Sequence, residues 1–240
     1  IKKRFLRMYP LHFFFLILFL IIEFIKYYFN FYFNFQTNSP VFQNNNFYTF
    51  GTNLIFINST NSYLSFNMPS WAASAEFISS IIFGIFFLLS RLKFIIVSSL
   101  IFMITWALFL IKDNGHIVYT GYFTLLSCLN CYFFGSLIYF VSQNNFFSKI
   151  LKNNFLLIIN LLLFLLLIKL KVNTSYIILC FSVILLKLIY LEKKNIIYDL
   201  ICKKFLIFLG NISYSIYLSH FFIYWCITQI FRHILKIENI

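Results

Sequence analysis

"PSWAASAEFISSIIFGIFFLL", Pro69–Leu89, makes two opposing demands in one short stretch. From Phe77 onward it is an apolar run fit to enter a bilayer, yet Glu76, one of only six acidic residues in the chain, stands at its mouth. Pro69-Ser70 is a helix-entry pair with Ser70 as N-cap, so Glu76 falls in the second turn, roughly 9 Å along the axis. An isolated carboxylate inside a membrane costs about 2.5–3.5 kcal/mol or more. Ala72, Ala73, Ser79 and Ser80 lie three or four residues away and share its face, where small residues let another helix approach closely. Two readings stand. Glu76 is either an interfacial acid reaching water or pairing with a lysine, or an acid facing a polar cavity in a helix bundle.

The rest of the chain favours a bundle. It is 62% hydrophobic and 10% charged, with a mean hydropathy of +0.88. Soluble domains carry about 25% charged residues, so this chain cannot cover a core with polar surface. An all-α, polytopic transmembrane helix bundle is expected. Seven apolar segments stand out, Tyr9–Phe29, Ala72–Leu89, Phe94–Ile111, Ile117–Val141, Phe155–Ile168, Ser175–Tyr190 and Phe205–Phe231. A bilayer core takes about 20 helical residues. Two segments are short and two long, which brackets the count between six and eight. All belong to a single membrane-embedded domain spanning residues 1–240. Residues 30–70 form a polar, Asn-rich connection in which "TNLIFI" (Thr52–Ile57) is apolar enough to dip into the interface.

Charge sets the orientation. No Lys or Arg occurs from Tyr27 to Ser90, whereas Lys2, Lys3, Arg4 and Arg7 precede the first segment and Arg91 and Lys93 follow the second. Lys149/Lys152 and Lys193/Lys194/Lys203/Lys204 alternate onto the N-terminal side. Lys112, Lys169/Lys171 and Arg232/Lys236 fall on the sparser opposite side. The positive-inside rule makes the start cytoplasmic and the 30–70 loop extracytoplasmic. The net charge of +13 is therefore a topology signal, not a nucleic-acid surface, because the basic residues form no patch.

The 36 Phe and 16 Tyr accompany abundant Ile, Asn and Lys, all AT-rich codons, and are read as lipid-facing and core packing. Cys128 and Cys131 have the spacing of a metal knuckle but no second pair or His cluster, so the five cysteines are read as buried thiols and no metal is expected. The basic start and apolar run after Lys2 lack a small-residue cleavage site and are read as a retained helix.

Two further groups can carry chemistry. Of nineteen basic residues only Arg4, Arg7, Arg91 and Arg232 are arginine, and two of them share "RFLR". Three residues apart on a helix, their guanidiniums can form a bidentate phosphate clamp, or simply a basic stop at the membrane surface. In "LGNISYSIYLSHFFIYW" (Leu209–Trp225), Tyr214, Tyr217 and His220 recur every three residues. Such a stripe faces a polar cavity or hydrogen-bonds across helices. His12, His116 and His233 lack comparable company and are read as interfacial or structural.

Four stretches resemble successive landmarks of the membrane acyltransferase-3 family, in that family's order and across almost the whole chain: "RFLRMYPLHFFFL" (Arg4–Leu16), "MPSWAASAEF" (Met68–Phe77), "CYFFGSLIYF" (Cys131–Phe140) and "LGNISYSIYLSHF" (Leu209–Phe221). The resemblance implies an integral-membrane O-acyltransferase of the cytoplasmic membrane, with acyl-CoA, expected to be acetyl-CoA, as donor. The acceptor it implies is a hydroxyl of a cell-surface carbohydrate or lipid-linked glycan. Arg4 and Arg7 match the family's Arg-x-x-Arg motif, implied to engage the CoA phosphates at the cytoplasmic face. Trp71, Ser74 and Glu76 match its Trp/Ser/Glu signature, with Ala72 replacing the usual serine after Trp. Tyr214, Tyr217 and His220 match its late helix. The expected roles are then catalytic for Glu76, Ser74 and His220, donor-binding for Arg4 and Arg7, and substrate path for Trp71, Tyr214 and Tyr217. The family's catalytic His lies on a helix upstream of Arg-x-x-Arg, where this chain starts. By that comparison one or two helices belong before Ile1, and the chain is either part of a longer enzyme or a shortened, inactive product. The alternative from another class is a multi-pass transporter or flippase for a polar envelope substrate, which predicts paired half-repeats and broken helices that the sequence does not display.

Overall fold

In the computed structural model, which describes residues 2–34, 40–61, 66–113, 121–143, 154–172, 174–189 and 196–233, each of the seven apolar segments contains a helix. These are α1 (Lys2–Phe33), α3 (Ser70–Phe86), α4 (Arg91–Asp113), α5 (Tyr122–Ser142), α6 (Asn154–Lys169), α7 (Thr174–Ile189) and α9 (Lys204–His233). Two short helices, α2 (Phe47–Leu54) and α8 (Ile196–Ile201), and a 3-10 turn at Asn58–Thr60 occupy connections. No strand occurs among the described residues. By length and composition, α1, α4, α5 and α9 are able to cross a membrane, while α3 and α6 are apolar but shorter. The all-α polytopic class is the one observed. His116 and the topology signals Lys149, Lys152, Lys193, Lys194 and Lys236 lie outside the described residues.

The described residues divide into two units, one within Ile1–Ile78, Thr120–Tyr122 and Leu209–Ile240, the other within Ser79–Tyr119 and Phe123–Phe208. In the first, α1 is the organising helix. Its buried residues, Met8, His12, Phe15, Leu16, Phe19 and Glu23, step by three and four along one stripe. Met8 packs with Phe56 and Ala73, while Leu16 and Phe19 pack with Phe66. Phe221 and Phe222 of α9 close on Phe19, with ring centroids 5.8 Å away in each case.

The Asn-rich connection buries several of its amides in this unit. Asn53, Asn58, Asn61 and Asn67 are all buried. The Asn58 amide donates to Ser70 Oγ at 2.8 Å, the Asn61 amide to Thr52 Oγ1 at 2.9 Å and the Asn67 amide to the Leu218 carbonyl of α9 at 3.0 Å. Gly121, at a φ of 69° where only glycine is unstrained, donates its N–H to the Asn61 carbonyl at 2.8 Å. Between apolar helices lipid offers no hydrophobic gain, and such interhelical hydrogen bonds supply the association instead.

Asn46 caps α2 by accepting from the Thr49 N–H at 3.0 Å. This helix is inside out: Thr49, Thr52 and Asn53 are its buried residues, whereas Phe47 and Tyr48 are 94% and 68% exposed. "TNLIFI" is likewise split. Ile55 faces outward, but Phe56 is wholly buried against Met8 and Ala73.

In the second unit a polar pair and an aromatic cluster join the helices. The Asn130 amide of α5 donates to Thr105 Oγ1 of α4 at 2.7 Å. Phe133 is fully buried, its ring 5.5 Å from Phe83 and 5.8 Å from Phe86. None of the five cysteines forms a disulfide, but they are not all the buried thiols expected: Cys180 of α7 is buried, Cys128 and Cys226 are partly buried, and Cys131 and Cys202 are exposed.

Candidate functional site

The first turns of α1 and the second turn of α3 bring Arg4 and Glu76 together. The Arg4 Nη1–H donates to Glu76 Oε1 at 3.3 Å, with side chains 48% and 50% exposed. An ion pair this accessible contributes about 0–1 kcal/mol, so its part in stability is small and both groups remain within reach of a ligand. Arg7, three residues on, is also exposed. Glu76 is thus half-exposed and paired with a cation, an arginine rather than a lysine.

Aromatic side chains build the floor under the pair. Phe5 stacks on Tyr9 at 4.6 Å and tilts against Phe77 at 5.5 Å, and Phe77 reaches Phe56 at 5.6 Å. Tyr9 and Tyr214 hold this floor to the backbone: the Tyr9 hydroxyl donates to the Leu54 carbonyl at 2.7 Å, and the Tyr214 hydroxyl of α9 to the Met8 carbonyl at 2.9 Å.

The other expected residues take different places. Ser74, two residues before Glu76, is fully buried; its hydroxyl donates to the Phe56 carbonyl at 2.9 Å, lies 3.1 Å from Ser59 Oγ and accepts from the Ser59 N–H at 3.2 Å. Those bonds fasten the 3-10 turn to α3. Trp71 is half-buried. The Tyr/His stripe divides: Tyr214 turns inward to α1, while Tyr217 and His220 are exposed, their rings 5.7 Å apart. Residues three apart drift by about 60° per step on a 3.6-residue helix, so Leu218 and Phe221 share the face of Tyr214 and His220 does not.

The family model described as an acyltransferase domain, of the acyltransferase-3 type, matches residues 1–237. The chain belongs to the acyltransferase-3 family. Searches of curated proteins and of solved structures gave no match. By class it is a membrane acyltransferase, and its Arg4–Glu76 pair joins two of the stretches that first pointed to the family. Among the described residues of this acyltransferase, no three His, Cys, Asp or Glu side chains converge to hold a metal ion.

The sequence read His12 as interfacial or structural and did not single out Glu23; both are buried on α1. His12 is 1% exposed, its Nε2 2.8 Å from the Asn53 carbonyl, an acceptor, so Nε2 carries the hydrogen and the partnerless Nδ1 is bare. Glu23 is 4% exposed and accepts from the Lys26 ammonium at 3.0 Å, the Asn45 amide at 2.7 Å and the Phe42 N–H at 3.2 Å. The signal was available. Positions 12 and 23 are eleven residues apart, just over three full turns, and so share one face of α1.

Proposed function

We propose that this protein is a membrane O-acyltransferase that moves an acyl group, acetyl in the simplest case, from acyl-CoA to a hydroxyl of a cell-surface carbohydrate or lipid-linked glycan. The observation that carries the reading is the accessible Arg4–Glu76 pair, with Arg7 one turn further along the same helix end. Guanidiniums three residues apart match the geometry of phosphate oxygens, the most strongly charged part of the donor. The basic N-terminal end and the Lys- and Arg-free stretch from Tyr27 to Ser90 support a cytoplasmic site for the donor and an extracytoplasmic 30–70 loop in the cytoplasmic membrane. Family membership favours the transferase over a transporter or flippase.

In the reaction the acceptor hydroxyl attacks the thioester carbonyl, its proton passes to a base, the new C–O bond forms, and the C–S bond breaks to release CoA thiol. When the donor phosphates draw Arg4 away, the Glu76 carboxylate is released to accept or orient a proton. Ser74 acts as a positioning residue through its bonds to Phe56 and Ser59. Tyr217 and His220, exposed and adjacent, belong to the substrate path, as does Trp71.

The test uses membranes carrying the protein, radiolabelled acetyl-CoA and a cell-envelope glycan fraction. Wild type should transfer label. Glu76→Gln should transfer at least about 100-fold more slowly at unchanged expression. Arg4→Ala/Arg7→Ala should raise the KM for acetyl-CoA by about tenfold or more. Transfer that survives unchanged in both variants would remove these residues from the site.

A further inference from the structure

The stripe of α1 that begins beside the ion pair ends at a second polar site. Glu23 lies about 28 Å along the helix from Arg4, close to the roughly 30 Å thickness of a bilayer core. Its carboxylate is enclosed and bonded to Lys26 one turn on, so the two charges cancel and the group is neutral as a whole. Against this pair opens a cavity of about 250 Å³, within the first unit, lined among others by Glu23, Lys26, Gln43, Asn44, Phe221 and Trp225. That volume is just below the roughly 300–1,000 Å³ of ordinary ligand pockets, which leaves room for one ring and not for a chain.

The lining narrows the ligand's chemistry. Gln43 and Asn44 are exposed amides, each able to donate and to accept. Trp225 and Phe221 offer flat apolar faces, and the indole adds one N–H donor. An anion would face the Glu23 carboxylate, a cation would face Lys26, and neither would gain net attraction from the neutral pair. The ligand that satisfies all of these is uncharged, carries several groups that both donate and accept, and has one apolar face. A hydroxylated ring meets each condition.

We infer that this cavity is the recognition subsite for a neutral sugar ring of the acceptor, with Gln43 and Asn44 reading its hydroxyls and Trp225 its face. The inference rests on the acyltransferase reading for its place in the reaction, and on the cavity alone for binding. The ring can come from a soluble glycan or from a glycolipid headgroup, and the test separates the two sources. Saturation-transfer NMR on the detergent-purified protein would use methyl glucoside as the soluble probe, glucose 6-phosphate as the charged one, and vesicles of phosphatidylcholine with or without a neutral glucosyl lipid. Saturation should reach the ring protons of methyl glucoside or of the glucosyl lipid, whichever source is used, and glucose 6-phosphate should bind at least tenfold more weakly. Gln43→Leu/Asn44→Leu, two exposed positions, and Trp225→Leu should each lose at least tenfold in affinity while circular dichroism stays unchanged. No saturation of either neutral probe, tighter binding of glucose 6-phosphate, or full binding by both variants would overturn the assignment. Label transfer to glycan that neither variant alters would overturn this subsite and leave the transferase standing. Sugar binding lost in the variants, without any acyl transfer by wild type, would support the subsite and count against the transferase.

Discussion

Arg4 and Glu76 meet through a single 3.3 Å hydrogen bond between half-exposed side chains, which separates their role in stability from any role in binding. Glu76→Gln should change unfolding free energy by less than about 1 kcal/mol, read from thermal melts in detergent, even where transfer collapses. Screening adds a second readout: affinity for the phosphate-bearing donor should fall as salt rises from 50 to 500 mM, because exposed guanidiniums are screened. A drop in stability of several kcal/mol would instead make the pair structural. His12 is the opposite case, buried and half-satisfied. The Asn53 carbonyl also accepts the Phe56 N–H at 3.1 Å, so it keeps a partner without the imidazole. His12→Leu loses one hydrogen bond of about 1 kcal/mol but removes a bare buried nitrogen that costs about as much or more. The variant should therefore melt within about 1 kcal/mol of wild type, and a loss above 3 kcal/mol would show a partner for Nδ1. At this scale the sequence was legible for residue type and only partly for direction. Arg4, Arg7 and Glu76 declared themselves by rarity, and two of the three meet. The Tyr214, Tyr217 and His220 spacing looked like a stripe, but a helix turns such a triplet through about 120°: Tyr214 bonds to α1, while Tyr217 and His220 are exposed.

Among helices, polar contacts are sparse and carry weight out of proportion to their number. Asn130 joins α5 to α4 through Thr105, and membrane hydrogen bonds of this kind average about 0.6 and reach about 1.7 kcal/mol. Asn130→Leu should cost about 1 kcal/mol. Phe133→Ala, which empties a fully buried ring site between Phe83 and Phe86, should cost about 3–5 kcal/mol. Denaturant-induced unfolding in micelles would rank them, and a reversed order would mean the aromatic cluster repacks. The helices of the seven apolar segments were plain from apolar length alone. The connection between α1 and α3 was not, since its asparagines read as a polar connection, yet Asn58, Asn61 and Asn67 are buried amides bonded to Ser70, Thr52 and Leu218, and Asn53 is buried with its amide on Thr49 of its own helix. Hydropathy scores a side chain by its solvent preference and is blind to a partner contributed by residues far along the chain.

For the whole molecule, the proposed topology puts the basic start inside and the Lys- and Arg-free 30–70 loop outside. In a cysteine-free background, Tyr48→Cys should react with a membrane-impermeant maleimide added outside intact cells. Lys3→Cys should react only after lysis. Labelling of Lys3→Cys first would invert the topology. The Glu23 cluster also bears on how the protein is made. Lys26 follows Glu23 by three residues, whereas Phe42 and Asn45 follow by 19 and 22. At about 5–20 residues per second the ribosome delivers those later donors some 1–4 s after the acid. During that interval Glu23 already has Lys26 as its counter-ion, so this stretch of α1 can pass from the insertion machinery to the bilayer without a lone carboxylate before the rest of its polar nest has been synthesised.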